Sequence, residues 1–220
     1  MPQVIVFDVN GTLLDIQALA PELERLFGSA VSVREWFGEV LQYSVGTTLA
    51  GDYAEMDEIA SAVLKMTAFR IGGKLADAGI TAVKQCLTSL PPFADVKPAL
   101  ATLKAAGFRL ATLSNSSTQS LETQLGNAGL TEYFEQTLSV DGVRRYKPAP
   151  EAYHAAAEAL RVRPSDLLLV AAHGWDVFGA MRAGCRAAFV SRPGQALFPL
   201  GPEPDYSAQD LLALVSQIVK

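Results

Sequence analysis

The side chains in this chain best suited to covalent chemistry stand just after apolar runs. Asp8 follows Val4 to Phe7 and opens the segment Asp8-Val9-Asn10-Gly11-Thr12-Leu13-Leu14. Ser114-Asn115 follows the run from Phe108 to Leu113, Lys147-Pro148 comes after Phe134 to Val140, and His173 and Asp176 follow Leu167 to Ala171. An aspartate carboxylate can attack carbon or phosphorus and form an ester that water then opens, dividing one hard displacement into two easier ones. A lysine beside it holds it ionised, hydroxyls such as those of Thr12 and Ser114 supply hydrogen bonds, and Gly11 permits close backbone approach in a turn. An imidazole accepts a proton near neutral pH, so His173 is a candidate general base for activating water. Singly, each residue has a plainer reading: Asp8 as a turn residue, Lys147 as a surface lysine before proline, Asp176 as an acid in the first turn of a helix, His173 as a satisfied histidine at a helix start.

What these residues share is position. In open α/β sheets, ligands bind beyond the carboxyl ends of the strands. The runs at Val4 to Phe7, Phe108 to Leu113, Leu167 to Ala171 and Ala187 to Val190 are continuously apolar, as strands buried on both faces are; Phe134 to Val140 alternates more weakly. Helical stretches separate them at Val96 to Ala106, Thr118 to Ala128, Glu151 to Leu160 and Val177 to Ala183. This alternation predicts right-handed βαβ crossovers and a doubly wound parallel sheet, Rossmann-like in plan. From about Ile16 to Leu90 the alternation stops and the pattern is helical, with Gly28, Gly46, Gly51, Gly72 and Gly73 as expected helix ends. The economical organisation is an α/β core of residues 1–15 and 91–220, interrupted by an all-helical domain over 16–90. Pro91-Pro92 marks the return.

The balance of 220 residues, half of them hydrophobic, with a formal charge of −5, predicts a folded and mildly acidic protein rather than a disordered one. No run of lysine and arginine suits a nucleic-acid backbone, Arg144, Arg145 and Lys147 being too few. No apolar run approaches the ~20 residues of a membrane span, and the first residues lack the pattern of a signal peptide. Cys86 and Cys185 stand far apart without metal-binding spacing and read as small apolar residues in a reducing compartment. A cytoplasmic location is the expectation.

The Asp8 to Leu14 segment resembles the first motif of the haloacid dehalogenase (HAD) superfamily. Ser114-Asn115 is similar to its second motif, Lys147-Pro148 to its third, and the segment ending in Asp176 to its fourth, with the helical insertion in place of that superfamily's cap domain. The phosphatase branch carries a second aspartate two residues after the nucleophile, because an alkoxide leaving group must be protonated. Asn10 stands there instead. Halide leaves as a stable anion and needs no proton. The phosphatase branch also has an acid four residues before the position of Asp176, to help hold Mg²⁺, and here that position is Ala172. A hard cation wants several oxygen ligands, so no metal and no cofactor are expected. Mg²⁺ enters only under the alternative of a phosphatase acting on a small phosphorylated metabolite. A third alternative, a catalytically weak ligand-binding protein on this fold, is opposed by retention of Asp8, Thr12, Ser114, Lys147 and Asp176.

Within the superfamily the chain most resembles the type II L-2-haloacid dehalogenases, sharing Trp36, Leu41, Tyr43, Ser44, Ser114-Asn115, Lys147 with Tyr153, and Trp175-Asp176. The resemblance implies attack by Asp8 on C2 of an (S)-2-haloacid with inversion, then hydrolysis of the aspartyl ester to an (R)-2-hydroxy acid, with Asp176 helping to position water. It also implies a homodimer and a halogenated carboxylic acid as the partner. The catalytic set is then Asp8, Thr12, Ser114, Asn115, Lys147, His173 and Asp176. Val9, Asn10, Phe37, Leu41, Tyr153 and Trp175 are the candidate substrate-binding residues. The chain departs from that family in having Phe37 where an arginine follows the tryptophan, with Arg34 about one turn away, Asn10 where an aromatic is common, and Ala171-Ala172-His173 where Ser-Ser-Asn is common. His154, in an Ala-rich helix, reads as structural. Trp36, Tyr53 and Phe69 fit ordinary core as well as pocket, while Asn115, Ser116 and Ser117 fit both a helix cap and an anion site.

Overall fold

A computed structural model describes residues 3–220. Its centre is β1 (Val4–Phe7), four residues with no polar side chain, all buried. Such a strand needs neighbours on both edges and cover on both faces. It pairs in parallel with β2 (Arg109–Ser114) on one side and β4 (Leu167–Ala171) on the other, Val4 standing opposite both Arg109 and Leu167. Outward lie β3 (Gln136–Ser139) beside β2, and β5 (Arg186–Val190) then β6 (Tyr206–Ala208) beside β4, giving the parallel order β3-β2-β1-β4-β5-β6. The fold class read from the sequence is the one observed. The change of direction in strand order falls at β1, so the crevice beyond Phe7 is where side chains from several strand ends can meet.

Nine α-helices occur among the described residues. Four precede the return to the sheet: α1 (Ala20–Phe27), α2 (Val33–Leu49), α3 (Met56–Arg70) and α4 (Asp77–Thr88). The others are α5 (Val96–Ala105), α6 (Thr118–Ala128), α7 (Pro150–Ala159), α8 (Gly174–Arg182) and α9 (Leu211–Ile218). The chain leaves and re-enters the sheet at one place. Asp15 N donates to Pro91 O at 2.8 Å, and Phe93 N donates to Leu13 O at 3.0 Å.

The structure corrects the sequence reading at four points. Gly46 is not a helix end but lies inside α2, whose start is fixed by a reciprocal cap between Ser32 and Glu35; Gly51, at φ 76°, makes the turn after it. The third apolar run yields strand only over Gln136–Ser139. Helix α8 begins three residues earlier than periodicity suggests, because Gly174 and Trp175 supply its first turn. The short edge strand β6 and α9 were not anticipated.

Candidate active site

Four strand-end segments converge on one carboxylate. Asp8 directly follows β1, and its backbone N–H donates to Val170 O at 3.0 Å, so strand pairing continues through it. The chain then turns tightly, the Val9 carbonyl accepting from the N–H groups of Thr12, Leu13 and Leu14. Gly11 makes this turn with φ at 80°; a β-carbon there would lie 3.0 Å from the His173 ring. The turn carries Thr12 back toward Asp8. Its hydroxyl donates to Asp8 Oδ2 at 2.6 Å while accepting from Ala172 N at 2.9 Å. Ala172, lacking a carboxylate, thus serves the site through its backbone.

Lys147 is the hub. Its ammonium, fully buried, donates to Asp8 Oδ1 at 2.8 Å, Asp176 Oδ2 at 2.7 Å and Leu113 O at 2.8 Å, using all three of its donors. Lys147 lies well past β3, and what fixes it is Asn115: the Lys147 N–H donates to Asn115 Oδ1 at 2.9 Å, and Asn115 Nδ2 reaches the Lys147 carbonyl at 3.4 Å. Asp176, in the first turn of α8, accepts from the Tyr153 hydroxyl at 2.6 Å. His173 precedes α8 and brings Nδ1 to 3.0 Å from Asp8 Oδ2. Its ring stacks on Trp175, centroids 5.3 Å apart, with Phe37 at 6.1 Å.

The electrostatics follow from one ammonium shared by two buried carboxylates. Burial alone would push Asp8 up, but Lys147 and His173 outweigh it and hold the carboxyl far below its ordinary value. For Asp176 burial wins, reinforced by the charge of Asp8, and its pKa is raised despite Lys147. Burial pulls Lys147 down, yet Asp176 and Asp8 carry it above the ordinary lysine value. Protons taken up by the two acids belong to the pair.

Asp8 opens onto a cavity of about 30 Å³ with Asn10, Ser114, Asn115, Ser116 and His173 on its sheet side and Phe37, Leu41 and Met56 across from them. Trp175 closes one wall. Phe37 and Leu41 come from α2 and Met56 from α3, so the helical segment roofs the strand ends. Arg34 does not reach this cavity; it lines a larger outer crevice of about 560 Å³ that shares Phe37, Leu41, His173 and Trp175 with it.

Of the residues expected to bind substrate, Val9 and Tyr153 do not line this cavity. Val9 is wholly buried, its carbonyl organising the turn, and Tyr153 stands behind Asp176. Ser117 caps α6 through Ser120 N, whereas Asn115 clamps Lys147 and Ser116 Oγ accepts from Asn10 Nδ2 at 3.0 Å. His154 bonds Ala183 O at 2.9 Å, a structural contact. Sequence reasoning missed Met56 and Gln124. The signal for Gln124 was a polar residue in the otherwise apolar stripe Leu121, Leu125, Ala128 of α6; its Nε2 donates to Asn10 Oδ1 at 3.1 Å and Leu87 O at 2.9 Å.

The family model described as haloacid dehalogenase-like hydrolase matches residues 2–184. The chain belongs to that family. It is 32% identical to haloacetate dehalogenase H-2 of Moraxella sp. (strain B), covering 98% of this chain and 97% of the relative. With the (S)-2-haloacid dehalogenase of Pseudomonas sp. (strain YL) it shares 31% identity over 96% of this chain and 92% of the relative. Among solved structures, the L-2-haloacid dehalogenase of Xanthobacter autotrophicus with chloropropionic acid covalently bound superposes with a TM-score of 0.92. That pair is 28% identical, over 99% of this chain and 98% of the other. The haloacid dehalogenase resemblance of the four motifs therefore extends over the whole fold.

Proposed function

We propose that this haloacid dehalogenase-like hydrolase displaces halide from a small 2-haloacid through an ester on Asp8. The observation that carries the reading is the Asp8 carboxylate, bound by Lys147, Thr12 and His173 and facing a small cavity with an apolar roof. An Asp8 oxygen bonds to C2 as the carbon–halogen bond breaks, and the bonding pair leaves with the halide. Oδ1, with one hydrogen bond against two on Oδ2, keeps the more available lone pair. Water then adds to Cγ of the ester, the 2-hydroxy acid departs with a proton, and Asp8 regains its carboxylate as a second proton is released. Thr12 and His173 both touch Oδ2, where negative charge grows as water adds. Because a carboxylate only accepts, Nδ1 of His173 carries hydrogen toward it, leaving Nε2 as the basic nitrogen for the water proton.

Ser114 and Asn115 shape the anion side, and Asp176 keeps Lys147 in place once Asp8 is esterified and uncharged. Phe37, Leu41 and Trp175 exclude water from the displacement, and Asn10 lines the same cavity. The ammonium of Lys147 already pairs with both carboxylates, and Ala172 has no side-chain oxygen to add to them. This supports a reaction without metal or cofactor. The paired crossing at Asp15 and Pro91 supports a core of 1–15 and 91–220 with a helical cap over 16–90. A cytoplasmic location fits two free cysteines, and a homodimer follows from the family resemblance.

The test is halide release from (S)- and (R)-2-chloropropionate, chloroacetate and fluoroacetate with chelator present, beside Asp8→Asn. Metal-independent release that Asp8→Asn abolishes is expected. Phosphate release from a generic phosphomonoester, dependent on Mg²⁺ and without halide release, would overturn the reading. In single turnover, His173→Ala should accumulate the ester; hydrolysis at the unaltered rate would remove His173 as the base.

A further inference from the structure

Arg192 stands two residues beyond β5 and turns its side chain back into the molecule, where it is 7% exposed. An arginine is buried to that extent only when its charge and donors are paired. Its Nε donates to the Thr12 carbonyl at 3.0 Å, and its Nη1 donates to Asp95 Oδ2 at 2.8 Å. The guanidinium lies over the Phe93 ring, 4.0 Å from its centroid. Asp95 Oδ2 also accepts from Leu211 N at 2.8 Å, at the start of α9. Arg192 thus ties the turn after Asp8 to the segment that returns from the helical insertion and, through Asp95, to α9. An arginine that serves only to pair a carboxylate favours the two-bond fork. Here one bond is made, and Arg192 Nη2 and Asp95 Oδ1 are buried without a partner among the described residues. Unpaired buried atoms cost free energy, and what the guanidinium gains at this setting is the bond to Thr12. That bond completes the fixing of Thr12. Its N–H donates to Val9 O at 3.2 Å, its hydroxyl lies between Asp8 and Ala172, and its carbonyl is held by Arg192. Because a threonine side chain is stiff at χ1, the place of its hydroxyl follows from the place of its backbone.

We infer that Arg192 is a positioning residue for Thr12 and that it serves the hydrolysis of the Asp8 ester rather than the displacement of halide. The inference rests on the dehalogenase reading and adds a residue to its second step. The two steps make opposite demands on Asp8 Oδ2, to which Thr12 donates. In the displacement the carboxylate gives up charge as Oδ1 bonds to C2, so a donor on Oδ2 loses strength in that transition state and its loss costs little. In the hydrolysis the water oxygen bonds to Cγ and the carbonyl electron pair moves onto Oδ2, so a donor set there in advance lowers the barrier. The Cγ–Oδ1 bond then breaks, one proton of the water leaving on the 2-hydroxy acid and the other being released as Asp8 regains its carboxylate. Loosening Thr12 therefore slows the second step and spares the first.

The experiment is a single turnover of 2-chloropropionate with protein in excess, following halide release and, by intact mass of the quenched protein, the rise and decay of the ester. Arg192→Met alone strands the buried Asp95 charge, so it is made together with Asp95→Asn, and methionine keeps a contact with the Phe93 ring. Asp95→Asn alone, which still offers an acceptor to Arg192 and to Leu211 N, is the reference. Against that reference Arg192→Met should slow ester decay about tenfold, the scale of one hydrogen bond to a growing charge, and leave halide release within about twofold. Rate constants of a single turnover do not depend on how much of the protein is folded, so a general loss of fold does not produce this split. In a Thr12→Val background, which lacks the hydroxyl, Arg192→Met should slow ester decay by no more than about twofold. Ester decay at the reference rate, equal slowing of both steps, or the full slowing in the Thr12→Val background overturns the inference and leaves the dehalogenase reading standing. Absence of halide from the unaltered protein overturns that reading, and the role of Arg192 with it.

Discussion

At the scale of single residues, the site is a charge arrangement before it is a shape. One buried ammonium serves two buried carboxylates, and removing it strands both. Lys147→Met should therefore destabilise the fold by about 3–5 kcal/mol, measured by urea unfolding, as well as abolish halide release. The signs with pH follow from the shifts. Asp8 is held below its ordinary value, so its pairing stabilises the fold above the unfolded carboxylate pKa and is lost as pH falls through the folded one. Lys147 is raised, so its pairing is complete below the ordinary lysine pKa and is lost as pH rises through the folded value. Asp176 is raised and works the other way, its ionised form being a cost at neutral pH that disappears as it protonates. The Tyr153 hydroxyl is one of the few influences pulling Asp176 down. Tyr153→Phe should then shift the acid limb of the kcat/KM profile to higher pH and cost about 1–3 kcal/mol. An unmoved acid limb would show that Asp176 does not control it. Asp8, Lys147 and Asp176 were legible in the sequence because each stands at a fixed offset from a motif. The work of Tyr153 was not: its distance from Asp176 in the chain carries no mark that the two meet.

At the scale of elements, the site depends on how closely α8 approaches its neighbours, since α8 carries Asp176 and begins at His173. Gly179 allows that approach: a β-carbon there would fall 2.4 Å from the Pro148 side chain and 2.6 Å from the Tyr153 hydroxyl. Gly179→Ala should push α8 outward, costing about 1–3 kcal/mol by overpacking and lowering kcat as Asp176 leaves Lys147. The matched control is Gly126→Ala in α6, where a β-carbon meets nothing within 4 Å. There a helix-interior alanine should be neutral or stabilise by about 0.5–1 kcal/mol, with kcat unchanged. Equal effects of the two substitutions on kcat would refute the packing argument. The two glycines look alike in sequence, as do Gly46 and Gly51, because only the neighbouring element decides whether a missing side chain makes room, ends a helix or does neither. Apolar runs announced the strands β1, β2, β4 and β5, whereas β6 is three residues long and half exposed, too short for any period to show.

At the scale of the whole molecule, the helical segment must stay over the strand ends for the cavity to exist, since Phe37, Leu41 and Met56 come from it. Phe37 and Leu41 were named from the sequence through the family resemblance, whereas Met56 was not, because it stands on a second helix and meets the cavity only through the fold. Beyond apolar contact, Asp141 fastens the two parts, following β3 and accepting from the Tyr53 hydroxyl at 2.6 Å. Its other oxygen accepts from Thr118 N at 2.7 Å, at the start of α6. Tyr53 also stacks on Tyr146, centroids 5.3 Å apart, and the Tyr146 hydroxyl donates to Ala54 O at 2.6 Å. Burial and the Asp141 carboxylate push the Tyr53 phenol well above its ordinary value, so it donates throughout the working pH range. Asp141 itself bonds neither Asp8 nor its partners. Asp141→Ala should therefore lower the free energy of opening of the helical segment by about 1.5–3 kcal/mol, the scale of hydrogen bonds to a charged acceptor. Amide exchange across α2 and α3 should quicken while β1 and β4 stay protected, and KM should rise with little change in kcat. Exchange that quickens equally in the sheet would mean that Asp141 supports the fold as a whole. Unaltered exchange would mean that the remaining contacts hold the helices over Asp8 without Asp141.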